Sequence, residues 1–300
     1  MSSITATYQR LSTSKSFMKR FSIVVRLIIA VILIMFAVFP VVLILSASLD
    51  PTGSLGQTTL IPRNASLKNF YDYWWLNPQL YPFRTWWWNS IKIAAISTIL
   101  SISITTMAAY AFSRLRFAGR VTMLKGILLI QVFPNLLALV SIYLLIQQVG
   151  DVIPGFGLNT HAGLILVYLG GSMGMNIWLM KGFLDTIPRA IDESAMVDGA
   201  TNFQIFTQLL LPLLRPILVV IGILSFIGTY GDFVMARVLL KSTEQFTLMV
   251  GLQIFTAGQF SKNWGAFSAG ALIGALPIMI IYLALQDQIA GGLTQGSVKE

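Results

Sequence analysis

The chain has 300 residues, of which 56% are hydrophobic and only 10% are charged, and its formal net charge is +9. A soluble domain carries about 25% charged residues, so this composition indicates a protein that is solvated by lipid. The absence of cysteine excludes disulfide scaffolds and thiolate chemistry, and the single histidine, His161, excludes paired-histidine metal motifs. In a membrane chain, a positive charge usually reflects basic loops on one side of the bilayer and not nucleic-acid binding.

Six apolar runs are long enough to cross a bilayer, which takes about 20 residues. Because lipid cannot satisfy open backbone, we predict that all six are helices and that the fold is all-α and polytopic. The predicted spans are residues 27–49, 93–112, 126–149, 162–180, 216–236 and 263–286. Pro40, Pro134 and Pro277 lie inside them and are expected to bend their helices.

Lysine and arginine placement predicts the orientation. Basic residues concentrate in the N-terminal tail and in the loops after the second and fourth spans, whereas residues 150–161 contain neither lysine nor arginine. Both termini are therefore predicted to be cytoplasmic. The predicted parts are a cytoplasmic tail (1–26), a first transmembrane helix (27–49), an outer loop (50–88), a core of five transmembrane helices (89–290) with a long cytoplasmic loop (181–215), and a cytoplasmic C-terminal tail (291–300).

Three features outside the long cytoplasmic loop (residues 181–215, called the inner loop below) allow two interpretations each. The outer loop holds five of the seven tryptophans, which are typical of an aromatic belt at the headgroups, with a sugar-stacking site as the alternative: Trp74, Trp75, Trp86, Trp87 and Trp88. The glycine pairs 170/174 and 270/274 favour close helix packing within the chain, with a subunit seam as the alternative. The apolar stretch 246–255 either meets an outer partner or packs on the helix tops.

The inner loop carries the strongest local signals. Pro188 suits the first position of a helix, which is expected to run over 190–197 and to stop at Asp198-Gly199, where glycine permits a left-handed conformation. Thr201 and Gln204 form a capping-box pattern for a second helix that ends at Pro212. Apolar residues at spacings of three and four give this helix one apolar face: Phe203, Phe206, Leu209 and Leu210. Such a pair of helices either rests on lipid or docks into a protein groove.

Catalytic and nucleotide-binding motifs are missing from the sequence. It contains no G-x-x-x-x-G-K-[ST], no H-E-x-x-H and no G-x-S-x-G. A membrane enzyme therefore lacks support. An ion-coupled carrier would need several ionisable groups within its spans, and Asp232 is the one carboxylate there.

The inner loop resembles the conserved cytoplasmic loop of permease subunits in binding-protein-dependent ABC importers. The matching residues are Glu193-Ser-Ala195-x-x-Asp198-Gly199-Ala200, Phe206 and Leu211-Pro212-Leu213-x-x-Pro216, with Ser194 where the family pattern has alanine. Further similarity lies at Asn89-Ser90, in 109–117, at Leu276-Pro277 and in 292–299, and the last of these resembles the MalG-like branch, the maltose and maltodextrin type.

This resemblance implies a type I importer transmembrane domain that is not itself an enzyme and binds no cofactor. It implies a second, homologous permease subunit, two cytoplasmic ATPase subunits that bind ATP and Mg, and an extracytoplasmic solute-binding protein, in the cytoplasmic membrane of a prokaryote. It also implies that the inner loop docks on an ATPase subunit. The residues assigned to that interface are Glu193, Ser194, Ala195, Asp198, Gly199, Ala200, Phe203 and Phe206.

Three residues are candidates for the solute pathway. Asp232, Tyr230 and Asn89 lie in or next to the predicted spans. A charge within a span rarely faces lipid, so Asp232 is expected to face the interior or the outer mouth of the pathway. The alternative is that Asp232 reaches water at the outer interface and has no role in transport.

Overall fold

The computed structural model describes the backbone of residues 2–53, 62, 64–72, 81–132, 137–257 and 262–295, and this part of the chain contains helices and no strands. The principal helices are α1 (Ser2–Leu49), α2 (Lys68–Tyr71), α3 (Phe83–Arg114), α4 (Arg120–Val132), α5 (Leu139–Val152), α6 (His161–Thr186), α7 (Arg189–Val197), α8 (Asn202–Gln204), α9 (Leu211–Leu213), α10 (Arg215–Tyr230), α11 (Val234–Leu239), α12 (Leu248–Ala257) and α13 (Trp264–Gln295). A π-helical turn (Ile205–Leu210) joins α8 to α9. The all-α prediction is confirmed for the described residues.

Four helices are long and apolar enough to span a membrane by themselves: Arg20–Leu49 within α1, α3, α6, and Trp264–Gln286 within α13. They contain the first, second, fourth and sixth predicted spans. A fifth span is reached if Asn202–Leu213 and α10, which meet at a bend of 75°, are taken together. The described residues thus carry four or five candidate spans where the sequence predicted six.

The third and fifth predicted spans are not continuous helices. Residues 126–149 are divided between α4 and α5, and Pro134 lies outside the described residues. The expected helix over 216–236 stops at Tyr230, and α11 begins at Val234. At this second break the Asp232 carboxylate accepts a hydrogen bond from the backbone N–H of Ala236 at 3.1 Å. A carboxylate that binds a free N–H at the start of a helix favours a new helix there.

The long helices pack around α3, which contacts both α6 and α10. A polar cluster joins these three helices within their spans, because the Asn176 amide on α6 donates to Ser101 on α3 at 3.3 Å and to Ser225 on α10 at 3.1 Å. Side-chain hydrogen bonds of this kind hold helices together in lipid, where no hydrophobic force between them exists. The same amide-and-hydroxyl cluster therefore fixes the centre of the bundle.

The tryptophans at the N-terminal end of α3 do not behave as one belt. Trp86 is fully buried and its indole N–H donates to the Thr243 carbonyl at 2.8 Å, whereas Trp88 is exposed. The belt prediction is therefore wrong for Trp86, because a helix turns successive residues to different faces. Trp74 and Trp75 lie outside the described residues.

The apolar stretch 246–255 packs inside the protein. Leu248, Val250 and Leu252 on α12 are almost completely buried. Side chains added at Gly270 and Gly274 of α13 would collide with Leu252 and Leu248, so this glycine pair serves packing within the chain. Of the two interpretations of 246–255, packing on the helix tops is the one that the structure favours.

The two predicted tails are continuous with helices. The predicted N-terminal tail and first span belong to one helix, α1, which contains Pro40 and packs against α13. Helix α13 contains Pro277 and continues beyond the predicted core boundary at 290 to Gln295. Both prolines are thus accommodated within helices that extend past them.

Candidate coupling interface

The turn between α7 and α8 is a Schellman motif. Asp198 caps α7, the Gly199 N–H donates to the Met196 carbonyl at 3.1 Å, and the Ala200 N–H donates to the Ala195 carbonyl at 2.9 Å. Gly199 has a φ of +83°, the left-handed conformation that its position in the sequence predicted. Helix α7 begins at Arg189, one residue before the predicted range of 190–197, and Pro188 caps the helix instead of occupying its first position.

The second helix begins as predicted. The Thr201 hydroxyl accepts from the Gln204 N–H at 3.3 Å, and the Gln204 side chain accepts from the Thr201 N–H at 2.8 Å, which completes a capping box. Helical structure continues past Pro212 to Leu213, and Leu214 then separates it from α10. The predicted stop at Pro212 is therefore displaced by one residue.

The π-helical turn divides the apolar face that the sequence predicted. Phe203 is 73% exposed, whereas Leu210 is fully buried and Phe206 is half-buried. A spacing of three and four places side chains on one face only where hydrogen bonds follow the α pattern, and a π turn shifts that register. The aromatic ring of Phe206 lies 5.0 Å from that of Tyr110 on α3, so this side chain packs on the chain itself.

Apolar contacts hold residues 202–213, from α8 to α9, against the membrane helices. Ile205, Leu210 and Leu214 are buried in one cluster with Met180 and Leu184 of α6. The Tyr110 hydroxyl also donates to the Asn202 carbonyl at 3.3 Å. Residues 202–213 therefore rest on the C-terminal ends of α3 and α6 through dispersion and burial, which have no strong directional preference.

Charged groups hold α7. The Arg114 Nε, at the end of α3, lies 2.6 Å from the Asp192 carboxylate in the first turn of α7, and both side chains are less than a tenth exposed. The same guanidinium donates to the Ile187 carbonyl at 2.9 Å, and Arg189 donates to the Ser113 carbonyl at 2.9 Å. These contacts bind α7 to the end of α3, and Arg114 also binds the end of α3 to the residue that follows α6.

A further pair of bonds completes this polar cluster. The Ser113 hydroxyl donates to the Asp185 carboxylate at 2.6 Å, and Lys181 forms an i,i+4 ion pair with the same carboxylate on α6. The Lys181–Asp185 pair is more exposed to solvent than the Arg114–Asp192 pair, so water screens it more strongly.

The residues assigned to the docking interface divide into two groups. Glu193, Ser194, Asp198, Gly199 and Phe203 are exposed, whereas Ala195, Ala200 and Phe206 are half-buried against the apolar cluster or Tyr110. Within residues 189–213, the most exposed apolar side chains flank the Gly199 turn. Val197 is 89% exposed and Met196 is 52% exposed, and Phe203 follows on the other side of the turn. We refer to Met196, Val197 and Phe203 as the exposed tip.

Sequence reasoning missed Arg114 and Asp192. Neither was assigned a role from the sequence: Arg114 lies among the basic residues after the second span and within the family-like stretch 109–117, and Asp192 directly precedes Glu193. A signal existed, since an acid in the first turn of a short helix is favourable there. Its pairing with a residue 78 positions earlier in the chain depends on the packing of α3 against α6, which no local pattern predicts.

Each of the three solute-pathway candidates has bonding partners within the chain. The Asp232 carboxylate accepts from the Tyr168 hydroxyl at 2.8 Å as well as from the Ala236 N–H, so it joins α6 to the start of α11. Tyr230 is buried and donates to the Gly274 carbonyl at 2.9 Å. Asn89 is buried and donates to the carbonyls of Glu244 and Phe246. These bonds give all three a structural role, and their part in a solute pathway stays a prediction.

Comparisons with known proteins agree with this architecture. A family model described as binding-protein-dependent transport system inner membrane component matches residues 101–294. The maltose/maltodextrin transport system permease protein MalG of Vibrio vulnificus is 43% identical over 87% of this chain and 90% of its own length. The MalG protein of Escherichia coli is 41% identical over the same shares.

One solved structure shares the fold. The crystal structure of a bacterial ABC transporter involved in the import of the acidic polysaccharide alginate superposes with a TM-score of 0.73, covers 89% of this chain and 96% of its own, and is 23% identical. Members of the matched family are membrane components of transport systems and not enzymes, since the ATPase is a separate subunit. The chain belongs to the family of inner membrane components of binding-protein-dependent transport systems, as a permease subunit of an ABC importer.

Proposed function

We propose that this chain is the permease subunit of an importer for maltose or maltodextrins, and that the exposed tip between α7 and α8 docks on an ATPase subunit. The single observation that carries the docking proposal is the combination of an exposed tip with a buried polar anchor. Val197 and Phe203 are exposed while Asp192, one turn and a half before Val197, is held by Arg114. Exposed apolar groups on a rigid support are typical of a binding surface.

The acidic residues beside the tip complete this surface. Glu193 and Asp198 are exposed, and neither forms an ion pair within the described part of the chain. They flank the apolar side chains and suit a partner surface that carries basic groups around an apolar cleft. Charges at the edge of an interface set orientation and association rate more than affinity.

A cross-linking experiment tests the docking proposal. Because the chain has no cysteine, Val197→Cys is a unique thiol that can be joined to a cysteine placed around the cleft of the ATPase subunit. We expect cross-linking that depends on assembly and none from the control Val152→Cys, an exposed residue at the far end of α5. Equal reaction of both positions, or no reaction of Val197→Cys in an active transporter, would contradict docking through the tip.

The sugar assignment is supported by the two MalG relatives, which are named maltose/maltodextrin permeases. The transporter reconstituted with its second permease, its ATPase and its binding protein provides the test. We expect maltotriose to stimulate ATP hydrolysis and an acidic alginate oligosaccharide to have no effect. Stimulation by the acidic sugar alone would overturn the assignment.

The full topology is also part of the proposal: six spans with both termini in the cytoplasm, in a complex of two permeases, two ATPase subunits and a binding protein. Loop charge supports it. Ala118 between α3 and α4 and Val152 at the end of α5 are exposed, and they are expected on opposite sides of the membrane. An impermeant thiol reagent applied from outside should modify Val152→Cys and not Ala118→Cys, and the reverse pattern would contradict the orientation.

A further inference from the structure

We propose that Arg114 and Asp192 are a positioning pair that makes α7 and the membrane helices α3 and α6 move as one body. This inference rests on the proposed docking of the exposed tip, and it concerns the route by which displacement of the tip reaches the bilayer. The pair joins the last residue of α3 to the first turn of α7 at 2.6 Å. Its guanidinium also donates to the Ile187 carbonyl, where α6 ends.

The segment from α7 to α9 (residues 189–213), which we call the docking segment, has two halves that are attached to the membrane helices by different chemistry. The α8–α9 half contacts the membrane helices through buried apolar side chains such as Ile205 and Leu210. Apolar surfaces tolerate sliding because burial has no strong directional preference. The α7 half is held by the buried charge contact between Arg114 and Asp192 and by the hydrogen bond from Arg189 on α7 to the Ser113 carbonyl on α3, so a rotation of α7 relative to α3 separates these groups. The charged half therefore fixes orientation.

Stability alone does not explain why charges occupy this position. A buried ion pair is costly to desolvate, and well-packed apolar residues of similar size are often at least as stabilising. Both side chains here are buried, 7% and 8% exposed. An apolar pair lacks both the attraction of Arg114 for Asp192 on α7 and the directional hydrogen bond from Arg114 to the Ile187 carbonyl at the end of α6. We infer that orientation of α7, and not the free energy of folding, is the function of the pair.

Helix α3 is the element that receives the displacement. Within its last two turns, Tyr110 contacts Phe206 and Asn202, Ser113 accepts from Arg189, and Arg114 pairs with Asp192. At its other end, Trp86 and Asn89 are bonded to the segment that precedes α12. A helix of 32 residues is about 48 Å long. A tilt imposed at the inner end of α3 therefore reaches the loops at the outer end.

The decisive variant replaces the pair by apolar residues. Arg114→Met combined with Asp192→Leu preserves burial and removes the directional bonds. In the complete reconstituted transporter, we expect this double variant to assemble with the ATPase and to hydrolyse ATP, while the sugar imported per ATP falls at least about tenfold. A merely structural pair predicts the opposite, namely normal import per ATP once packing is restored.

Single variants and a control complete the test. Asp192→Asn is expected to lose import per ATP in the same way, and Asp192→Glu, which keeps the charge, is expected to recover a large part of it. Lys181→Gln breaks the more exposed ion pair and should leave the ratio within about twofold of the unmodified protein. Normal import per ATP in the apolar double variant would overturn the proposal, whichever way the single variants behave.

The outcomes separate this proposal from the docking proposal. If the ATPase does not cross-link to Val197→Cys in the otherwise unmodified transporter, the docking surface is wrong. If it does cross-link, and the apolar double variant imports normally per ATP, then docking stands and the positioning role of Arg114 and Asp192 is wrong. A double variant that assembles and hydrolyses ATP without import supports both.

Discussion

Two ends of the protein hold their connecting segments by different chemistry: the end that we propose faces outward (the outer end) and the end that we propose faces the cytoplasm (the inner end). At the outer end, neutral side chains bind backbone groups: Trp86 donates to Thr243, and the Asn159 amide oxygen accepts from the N–H groups of Lys241 and Ser242, each at 2.9 Å. At the inner end, the ion pair between Arg114 and Asp192 attaches α7. Both ends contain buried polar contacts, and those of the inner end include opposite charges.

This difference corresponds to what each end presents to its surroundings. The outer segment around α12 is packed into the core, and Leu248 and Val250 are buried. The inner segment protrudes, and its Val197 and Phe203 side chains are exposed. Neutral bonds to backbone carbonyls suit a part that folds inward, because they satisfy polar groups without the cost of burying charge. A charged contact suits a part that projects outward and keeps its orientation when a partner displaces it.

The largest effect is expected at the outer end. Trp86→Ala removes a fully buried indole that fills the space above Gly251, and truncation of a buried aromatic residue costs about 3–5 kcal/mol. We expect a lower Tm and little monodisperse protein after purification in detergent. Trp88→Ala is the matched control, because Trp88 lies two residues after Trp86 and is exposed, and this variant should purify normally. Equal behaviour of the two variants would contradict a core role for Trp86.

The next effect separates the exposed tip from its support. Phe203→Ala should weaken ATPase association by about 2 kcal/mol, roughly 30-fold in Kd, while the Tm of the isolated permease stays unchanged. Phe206→Ala should instead lower the Tm, because its ring packs on Tyr110 of the same chain. Affinity and Tm of the two purified variants are the measurements. An unchanged ATPase affinity in Phe203→Ala would remove Phe203 from the interface.

A smaller effect is expected in the turn that orients the tip. Gly199→Val places a β-branched residue at a φ of +83° and should cost about 1–2 kcal/mol, although an added side chain meets no atom within 4 Å. The strain is therefore conformational and not steric. Gly199→Asn is the control, since asparagine tolerates the left-handed region. We expect weakened ATPase association in the valine variant and near-normal association in the asparagine variant, measured in the same assay.

The smallest effect is expected at Asp232. Asparagine keeps an oxygen that accepts from Tyr168 and Ala236, so Asp232→Asn should alter uptake by no more than about twofold if the residue is structural. Asp232→Ala removes both bonds and should reduce the amount of folded protein. Sugar uptake at matched expression is the measurement. A loss of uptake in the asparagine variant, with normal folding, would instead place the charge in the solute pathway.

Local features of the docking segment were predictable because they depend on residues that are close in sequence. Gly199 takes the left-handed conformation, and Thr201 and Gln204 form the capping box, as the sequence indicated. The long uninterrupted spans were also predictable, since a continuous apolar run in lipid has one solution, a helix. The interrupted spans were not, because the break after Tyr230 depends on bonds that Asp232 makes to Tyr168 on a different helix.

By itself, the sequence determined that the chain lies in a membrane, that it is helical, and where its docking segment turns, because composition and short-range backbone preferences suffice for each. Tertiary structure alone decided which aromatic side chains are available to a partner. Phe203 and Phe206 are chemically identical and three residues apart, yet Phe203 is exposed and Phe206 is against Tyr110. The same holds for Arg114, one basic residue among several until the packing of α3 and α6 brings Asp192 to it. Long-range contacts carry no local signature, so the partner of a charge or a ring is set by the fold.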